Sequence, residues 1–218
     1  IKSPYAEAEG WFIGCPLTAK QMVELPEEFV MDRIIESGKV AQELGAKIVG
    51  LGAFTSIVGD AGITVAKNLD IAVTSGNSYT VATAIQGTKQ AARMMGKDLK
   101  ECRAVVVGAT GSIGAASVRL LAKEVKHITL VARHMGPLEE LAQELIEQNH
   151  CEVAVSQDIR TSLQEADIVI TVTSALDFLI EPGDLKPGAV VCDVARPRNV
   201  SREVSLKRND VLVIEGGV

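Results

Sequence analysis

The sequence predicts an α/β chain in which a doubly wound parallel sheet follows a smaller α/β domain. Three observations predict it. A β-branched run, Arg103-Ala-Val-Val-Val107, feeds the glycine-punctuated turn Gly108-Ala-Thr-Gly-Ser-Ile-Gly114 and then a helical stretch. From about residue 97 onward, apolar runs alternate with helical segments, the pattern of parallel strands with helices on both faces. Hydrophobic residues make up 47% of the 218 residues and aromatics only 3%, so the core must be filled by Val, Ile, Leu and Ala, as is usual in such sheets.

The first observation locates a nucleotide site. Ala104 to Val107 suit a strand covered on both faces, which needs apolar side chains throughout rather than alternation. Gly108, Gly111 and Gly114 follow at a spacing of three. Such glycines permit a sharp turn, let backbone N–H groups approach a pyrophosphate, and let the next helix pack tightly on the strand. Ser112 opens that helix and puts its positive end under the phosphates. Glycine patterns also occur in ordinary turns, so the strand before and the helix after carry the reading. Gly108, Ala109, Thr110, Gly111, Ser112, Ile113 and Gly114 are thus the candidate cofactor loop of a Rossmann unit.

The next strand chooses the cofactor. An acid at its tip would bind the ribose hydroxyl of NAD, whereas an Arg accommodates the 2′-phosphate of NADP. His127-Ile-Thr-Leu-Val-Ala-Arg133 ends in Arg133 with no acid, which predicts NADP(H).

Earlier in the chain, Trp11-Phe-Ile-Gly-Cys15 is expected to form a short strand, followed by helix from about Thr18 to Leu44. Pro26 with Glu27 and Glu28 marks a new helix start there, and Gly45 ends it. Lys47 to Val58 reads as a strand passing into a Gly, Thr and Ser loop, Asp70 to Thr74 as a strand ending in Ser75-Gly-Asn-Ser78, and Tyr79 to Met95 as a helix closed by Gly96. The expected division is a substrate-side α/β domain over 1–96 and an NADP-binding domain over 97–218.

Beyond the glycine loop, a helix over Gly136 to Gln148 is followed by strands at Glu152–Ser156, Asp167–Thr173, Gly188–Asp193 and Asp210–Ile214. With the two already named they make six, the number in two mononucleotide-binding halves. Ligands of such sheets lie outside the carboxyl ends of the strands. Thr173, Ser174, Ala175 and Val194 are therefore expected on the nicotinamide side, although Thr and Ser there also suit a strand-end turn.

The formal charge of −6 argues against a nucleic-acid surface, which needs a basic excess. No apolar run is long enough to span a membrane, and no signal peptide is seen. The four cysteines, Cys15, Cys102, Cys151 and Cys192, have no zinc spacing, so no metal site is expected; the expected compartment is the cytoplasm, with reduced thiols. The chain starts at Ile1 and stops at Val218 just after a strand, and reads as a fragment.

Leu51-Gly-Ala-Phe-Thr-Ser-Ile-Val58, Thr74-Ser-Gly-Asn-Ser78, the Gly108–Gly114 loop and the Val-Ala-Arg133 strand end together resemble the long-chain acyl-[acyl-carrier-protein] reductases of cyanobacteria and their bacterial relatives, over nearly the whole chain. More distantly, Thr173-Ser-Ala175 and Asp193-Val-Ala-Arg-Pro-Arg198 resemble the shikimate dehydrogenase and glutamyl-tRNA reductase group. The first resemblance implies NADPH-dependent reduction of a fatty acyl thioester to an aldehyde, through a cysteine thiolate that takes the acyl group. A thiolate is the strongest nucleophile a protein offers near neutral pH. In that family the cysteine lies beyond the last strand of the sheet, past Val218 here. Among the cysteines present, Cys102 and Cys192 lie at or in strands and Cys151 just before one, which leaves Cys15 as the candidate.

By the same analogy, and by their loop chemistry, Phe54, Thr55, Ser56, Gly76, Asn77 and Ser78 are expected to line the substrate side of a cleft between the domains. A carrier-bound acyl substrate would bring an acidic acyl carrier protein, for which Arg196, Arg198, Arg202, Lys207 and Arg208 form the densest basic stretch. Two other functions remain open. An NADP-dependent dehydrogenase of the shikimate or amino-acid type would act on a small polar substrate, and a non-catalytic NADP-binding sensor or partner-binding protein would need no nucleophile.

Overall fold

A computed structural model of the protein describes residues 1–148, 151–173 and 179–216. They form two compact units, Ile1–Gly76 and Asn77–Val218.

The first unit begins with an irregular segment. Trp11 to Cys15, expected as a strand, is not one. Trp11 and Phe12 stay exposed, and a tight turn at Cys15, whose carbonyl accepts the N–H of Leu17 at 2.8 Å, leads to the first helix. Helix α1 (Ala19–Glu24) opens on a capping box, in which the Thr18 hydroxyl accepts the Gln21 N–H and the Gln21 side chain accepts that of Thr18. Helix α2 (Glu27–Glu43) carries Glu27 and Glu28 in its first turn, where they oppose the helix dipole. Strand β1 (Ile48–Gly50) pairs in parallel with β2 (Ala72–Thr74) across the short helix α3 (Ile63–Lys67). Met22, Val30, Ile34, Leu51 and Val65 form the small core, against which Cys15 and Phe54 pack.

The second unit opens with helix α4 (Asn77–Met94). The sequence places this helix before a boundary at Gly96; in the fold its apolar stripe, Val81, Ala84, Ile85 and Ala92, is part of the main core of the sheet. The sheet holds six parallel strands, β3 (Arg103–Val107), β4 (His127–Val131), β5 (Glu152–Ser156), β6 (Ile168–Thr171), β7 (Val190–Asp193) and β8 (Leu212–Glu215), in the order β5-β4-β3-β6-β7-β8. This is the doubly wound order of a dinucleotide-binding sheet. Helices α5 (Ser112–Leu121), α6 (Met135–Gln148), α7 (Ile159–Leu163) and α8 (Arg202–Lys207) complete the unit. Alternate residues of each strand face opposite layers. Ala104, Val106, Ile128, Leu130, Ile168 and Ile170 join one cluster, while Val105, Val107, Val131, Val169 and Val191 join the other. Burial on both faces explains why these strands are continuous apolar runs in the sequence.

At the amino ends of the strands, away from the glycine turn, a charged cluster ties the unit together. Asp167 Oδ1 accepts from Lys186 Nζ at 2.7 Å and Lys97 Nζ at 3.3 Å, and its Oδ2 accepts the Arg103 N–H at 3.0 Å. Burial alone would raise this carboxyl, but the bonds from Lys186, Arg103 and Lys97 outweigh it and hold the pKa below the usual value. A depressed carboxylate contributes stability that is complete above its unfolded pKa and is lost as pH falls through the folded one. Acid unfolding, followed by circular dichroism, should therefore begin to draw on Asp167 below about pH 4, and Asp167→Asn should flatten that limb of the stability profile.

Candidate functional site

The glycine loop leaves β3 at Gly108, whose φ of +86° is left-handed backbone. Its N–H and that of Ala109 both donate to the Val131 carbonyl, at 2.8 and 3.1 Å, binding the turn to the end of β4. Ala109 is fully buried; of the expected loop residues it shapes the turn from within. A side chain at Gly114 has no room, because its Cβ would lie 2.1 Å from the Gly108 carbonyl oxygen. Gly111 is different. A Cβ there would sit 3.5 Å from that oxygen, an ordinary contact, yet the position is an exposed glycine at the N-cap of α5. A site whose own packing tolerates a methyl group but presents bare backbone beside a helix start fits a bound pyrophosphate.

Thr110, Gly111 and Ser112 form the exposed rim of this turn, while Ile113 is half-buried and packs on the main core. Asn77, expected on the substrate side, is the first residue of α4 and donates from Nδ2 to the Ser112 Oγ at 2.8 Å. With its oxygen accepting from Asn77, Ser112 keeps its own hydroxyl proton to donate outward. Ser78 follows on the same helix, exposed, and Gly76 ends the first unit.

Arg133 stands exposed just past β4, with its carbonyl accepting from Gln157 Nε2 at 2.5 Å. Among the described residues no carboxylate pairs with its guanidinium. Such a free, planar, permanently charged fork suits a phosphate ester.

The carboxyl ends of β6 and β7 hold a polar group that the sequence reading passed over. Asn199, fully buried, accepts through Oδ1 from Thr171 Oγ1 at 2.8 Å, Thr173 Oγ1 at 2.8 Å and the Thr173 N–H at 3.3 Å. Asp193, also buried, accepts the N–H groups of Ala195 at 3.1 Å and Val200 at 2.9 Å. Burial pushes the Asp193 carboxyl above its usual pKa, against those N–H donors. Val194 is buried, and its N–H donates to the Thr171 carbonyl at 2.9 Å. Ser174 and Ala175 lie outside the described residues. The signal that points to Asn199 is the polar, Arg- and Pro-bearing stretch that follows the acid at the end of β7, one residue beyond Arg198.

The basic stretch is largely neutralised. Arg196 and Arg198 both reach Glu215, and Lys207 bridges Glu203 at 2.5 Å. Arg208 forks onto Asp210, holding that carboxyl down to about 2, and donates to the Pro182 and Leu185 carbonyls at 2.5 and 2.9 Å. Arg202 is the member with no acidic partner among the described residues.

In the first unit, Cys15 is half-buried and lines a cavity of about 710 Å³ together with Phe12, Ile34, Ile48, Leu51 and Thr55. Phe54, Thr55 and Ser56 form a single 3-10 turn in which the Thr55 and Ser56 hydroxyls donate to the Gly52 and Ala53 carbonyls, both at 2.7 Å. Burial pushes the thiols of Cys102, Cys151 and Cys192 up, which disfavours their thiolates.

Comparison with known proteins agrees with this geometry. The chain is 33% identical over 214 residues to the aminotransferase PigE of Serratia sp., a match covering 97% of this chain and 25% of that protein. It is 29% identical over 203 residues to the long-chain acyl-[acyl-carrier-protein] reductase of Synechococcus elongatus, covering 85% of this chain and 55% of that one. The chain thus spans about a quarter and about half of these two relatives. Glutamyl-tRNA reductase from Methanopyrus kandleri shares the fold, with a TM-score of 0.50 and 19% identity over 87% of this chain and 47% of that one. The family model described as shikimate / quinate 5-dehydrogenase matches residues 89–215, which include the glycine loop, Arg133 and the Asp193–Asn199 segment. With the sheet order and the phosphate turn, that match makes this chain a member of the shikimate / quinate 5-dehydrogenase family, with an NAD(P)-binding domain of the oxidoreductase type.

Proposed function

We propose that the protein is an NADPH-dependent reductase of fatty acyl thioesters, yielding aldehydes. The observation that carries the choice of an acyl substrate is the cavity of the first unit, of mixed lining, in which Phe12, Ile34, Ile48 and Leu51 offer a stretch that suits a hydrocarbon chain beside Cys15 and Thr55, with Glu9 and Lys47 also on its wall. The relative named as an acyl-[acyl-carrier-protein] reductase supports the same choice.

In this reading the pyrophosphate lies against Thr110, Gly111 and Ser112, bound by the N–H groups of Thr110 and Ser112 and the Ser112 hydroxyl, while Gly111, whose own N–H donates to the Gly108 carbonyl at 3.1 Å, gives it room; Arg133 binds the 2′-phosphate. Thr173 and Val194 flank the nicotinamide side. NADPH, when bound, supplies the hydride that reduces the thioester carbon. Phe54, Thr55 and Ser56 shape the acyl side, as do Gly76, Asn77 and Ser78, of which Asn77 donates to Ser112 of the loop. Among the cysteines present, Cys15 is the candidate thiolate: its sulfur bonds the acyl carbon, and the carrier sulfur is expelled as a thiolate that takes a proton from water. A carrier protein as acyl donor would meet a surface whose basic residues are mostly paired, so Arg202 is the basic side chain left to engage it.

The family match favours a second reading, dehydrogenation of a small polar substrate. One assay separates the two. NADPH oxidation is followed with a long-chain acyl thioester and NADP reduction with shikimate, and the aldehyde is identified by mass spectrometry. Aldehyde formation is the expected result, while turnover of shikimate alone would exclude the acyl reading. In Cys15→Ala, covalent labelling by a radioactive acyl thioester should disappear; unchanged labelling would remove Cys15 from the chemistry.

A further inference from the structure

Asn199 makes more bonds than a core amide needs, and leaves one group unmatched. Its Oδ1 gathers three donors from the end of β6, namely Thr171 Oγ1, Thr173 Oγ1 and the Thr173 N–H. Because a backbone N–H can only donate, the amide orientation follows from the Thr173 bond. The main-chain carbonyl of Asn199 accepts the N–H groups of Leu179 at 2.8 Å and Ile180 at 3.1 Å. Its neighbour Val200 is held by the buried Asp193 at 2.9 Å. Residues on both sides of the connection that follows β6 are therefore fastened to this one asparagine. Among the described residues its buried Nδ2 has no hydrogen-bond partner.

Leaving a buried donor unmatched is costly, and buried polar groups of this kind are rare. A fold that needed only to fill this space would do so with an apolar side chain. An oxygen that serves three donors at once, on an amide whose nitrogen goes unmatched, is what a fixed position for Thr171 and Thr173 requires. In a sheet of this order, dinucleotides cross the carboxyl ends of the strands near β3 and β6. Gly108 confirms how close the two ends are, since a Cβ on it would lie 3.1 Å from Thr173 Cγ2 and from the Val172 carbonyl.

We infer that Asn199 is a positioning residue for the nicotinamide half of the cofactor, acting through Thr173 and leaving the adenine half, held at Gly111 and Arg133, untouched. The inference rests on the NADP(H) reading. Its test compares two ligands on the whole protein, NADPH and 2′,5′-ADP, which carries the adenine-side phosphates and no nicotinamide. Asn199→Ala should weaken NADPH about tenfold, the worth of roughly one hydrogen bond, and change 2′,5′-ADP by less than about twofold. Thr171→Val, which keeps the shape and removes one of the three donors, should give the same one-sided loss, about threefold, and stands in if Asn199→Ala fails to fold by circular dichroism. Equal losses for both ligands, or none in a folded variant, would overturn the inference and leave the cofactor reading standing. A wild-type protein that binds neither ligand would instead overturn the cofactor reading, and this inference with it.

Discussion

Gly114→Ala should cost about 3 kcal/mol or more of stability, because the added methyl group meets backbone on both sides and no side chain can move aside. Its Cβ would lie 2.1 Å from the Gly108 carbonyl oxygen and 3.0 Å from the Ala109 Cα. Relief requires α5 to shift away from β3, which opens the main core at Val118 and Leu121, both fully buried. Thermal unfolding should show a midpoint lower by roughly 10 °C. Gly111→Ala is the internal control. Its φ of −71° is one that alanine adopts freely, and its Cβ would find an ordinary 3.5 Å contact. That variant should keep its melting temperature and lose NADPH affinity, since the methyl group would occupy the space a pyrophosphate needs. An unchanged affinity in Gly111→Ala would mean that the glycine serves the turn alone.

Arg133→Ala should weaken NADPH binding about ten- to hundredfold and leave NADH binding unchanged, as expected for the loss of charged hydrogen bonds to one phosphate. The side chain is exposed, and among the described residues it has no acidic partner to lose, so the substitution should leave stability nearly as it was. Titration by NADPH fluorescence, with NADH alongside, gives both numbers in one experiment. Equal affinities for the two cofactors in the wild type would show that Arg133 is a solvated strand-end residue and that the site does not select for the 2′-phosphate.

The proposals at these two positions rest on local signals. A glycine spacing of three after a β-branched run, and an Arg where a ribose-binding acid would stand, are read within about 30 residues of one another, as the βαβ unit requires. The six strands were legible for a similar reason. The inner strands β3, β6 and β7 are buried on both faces and read as apolar runs between turn residues, while the edge strands β5 and β8 are only partly buried. The short strand expected at Trp11–Cys15 has the same apolar texture but gains no ladder partner, and an apolar run alone does not distinguish a strand from a segment packed against a helix.

By itself, the sequence determined the doubly wound sheet and the glycine turn after its first strand, since hydrophobic period and glycine placement are properties of neighbouring residues; it also supplied the proposal that Arg133 meets the 2′-phosphate. Only the tertiary structure decided which unit owns α4, because the stripe Val81, Ala84 and Ile85 finds its partners on strands far along the chain. It likewise brought Asn77 to Ser112, 35 residues apart, and Asn199 to Thr171, 28 residues apart. It also matched Arg196 and Arg198 with Glu215. Polar pairs of this kind carry no period, and a side chain's partner across the fold is set by how the layers pack.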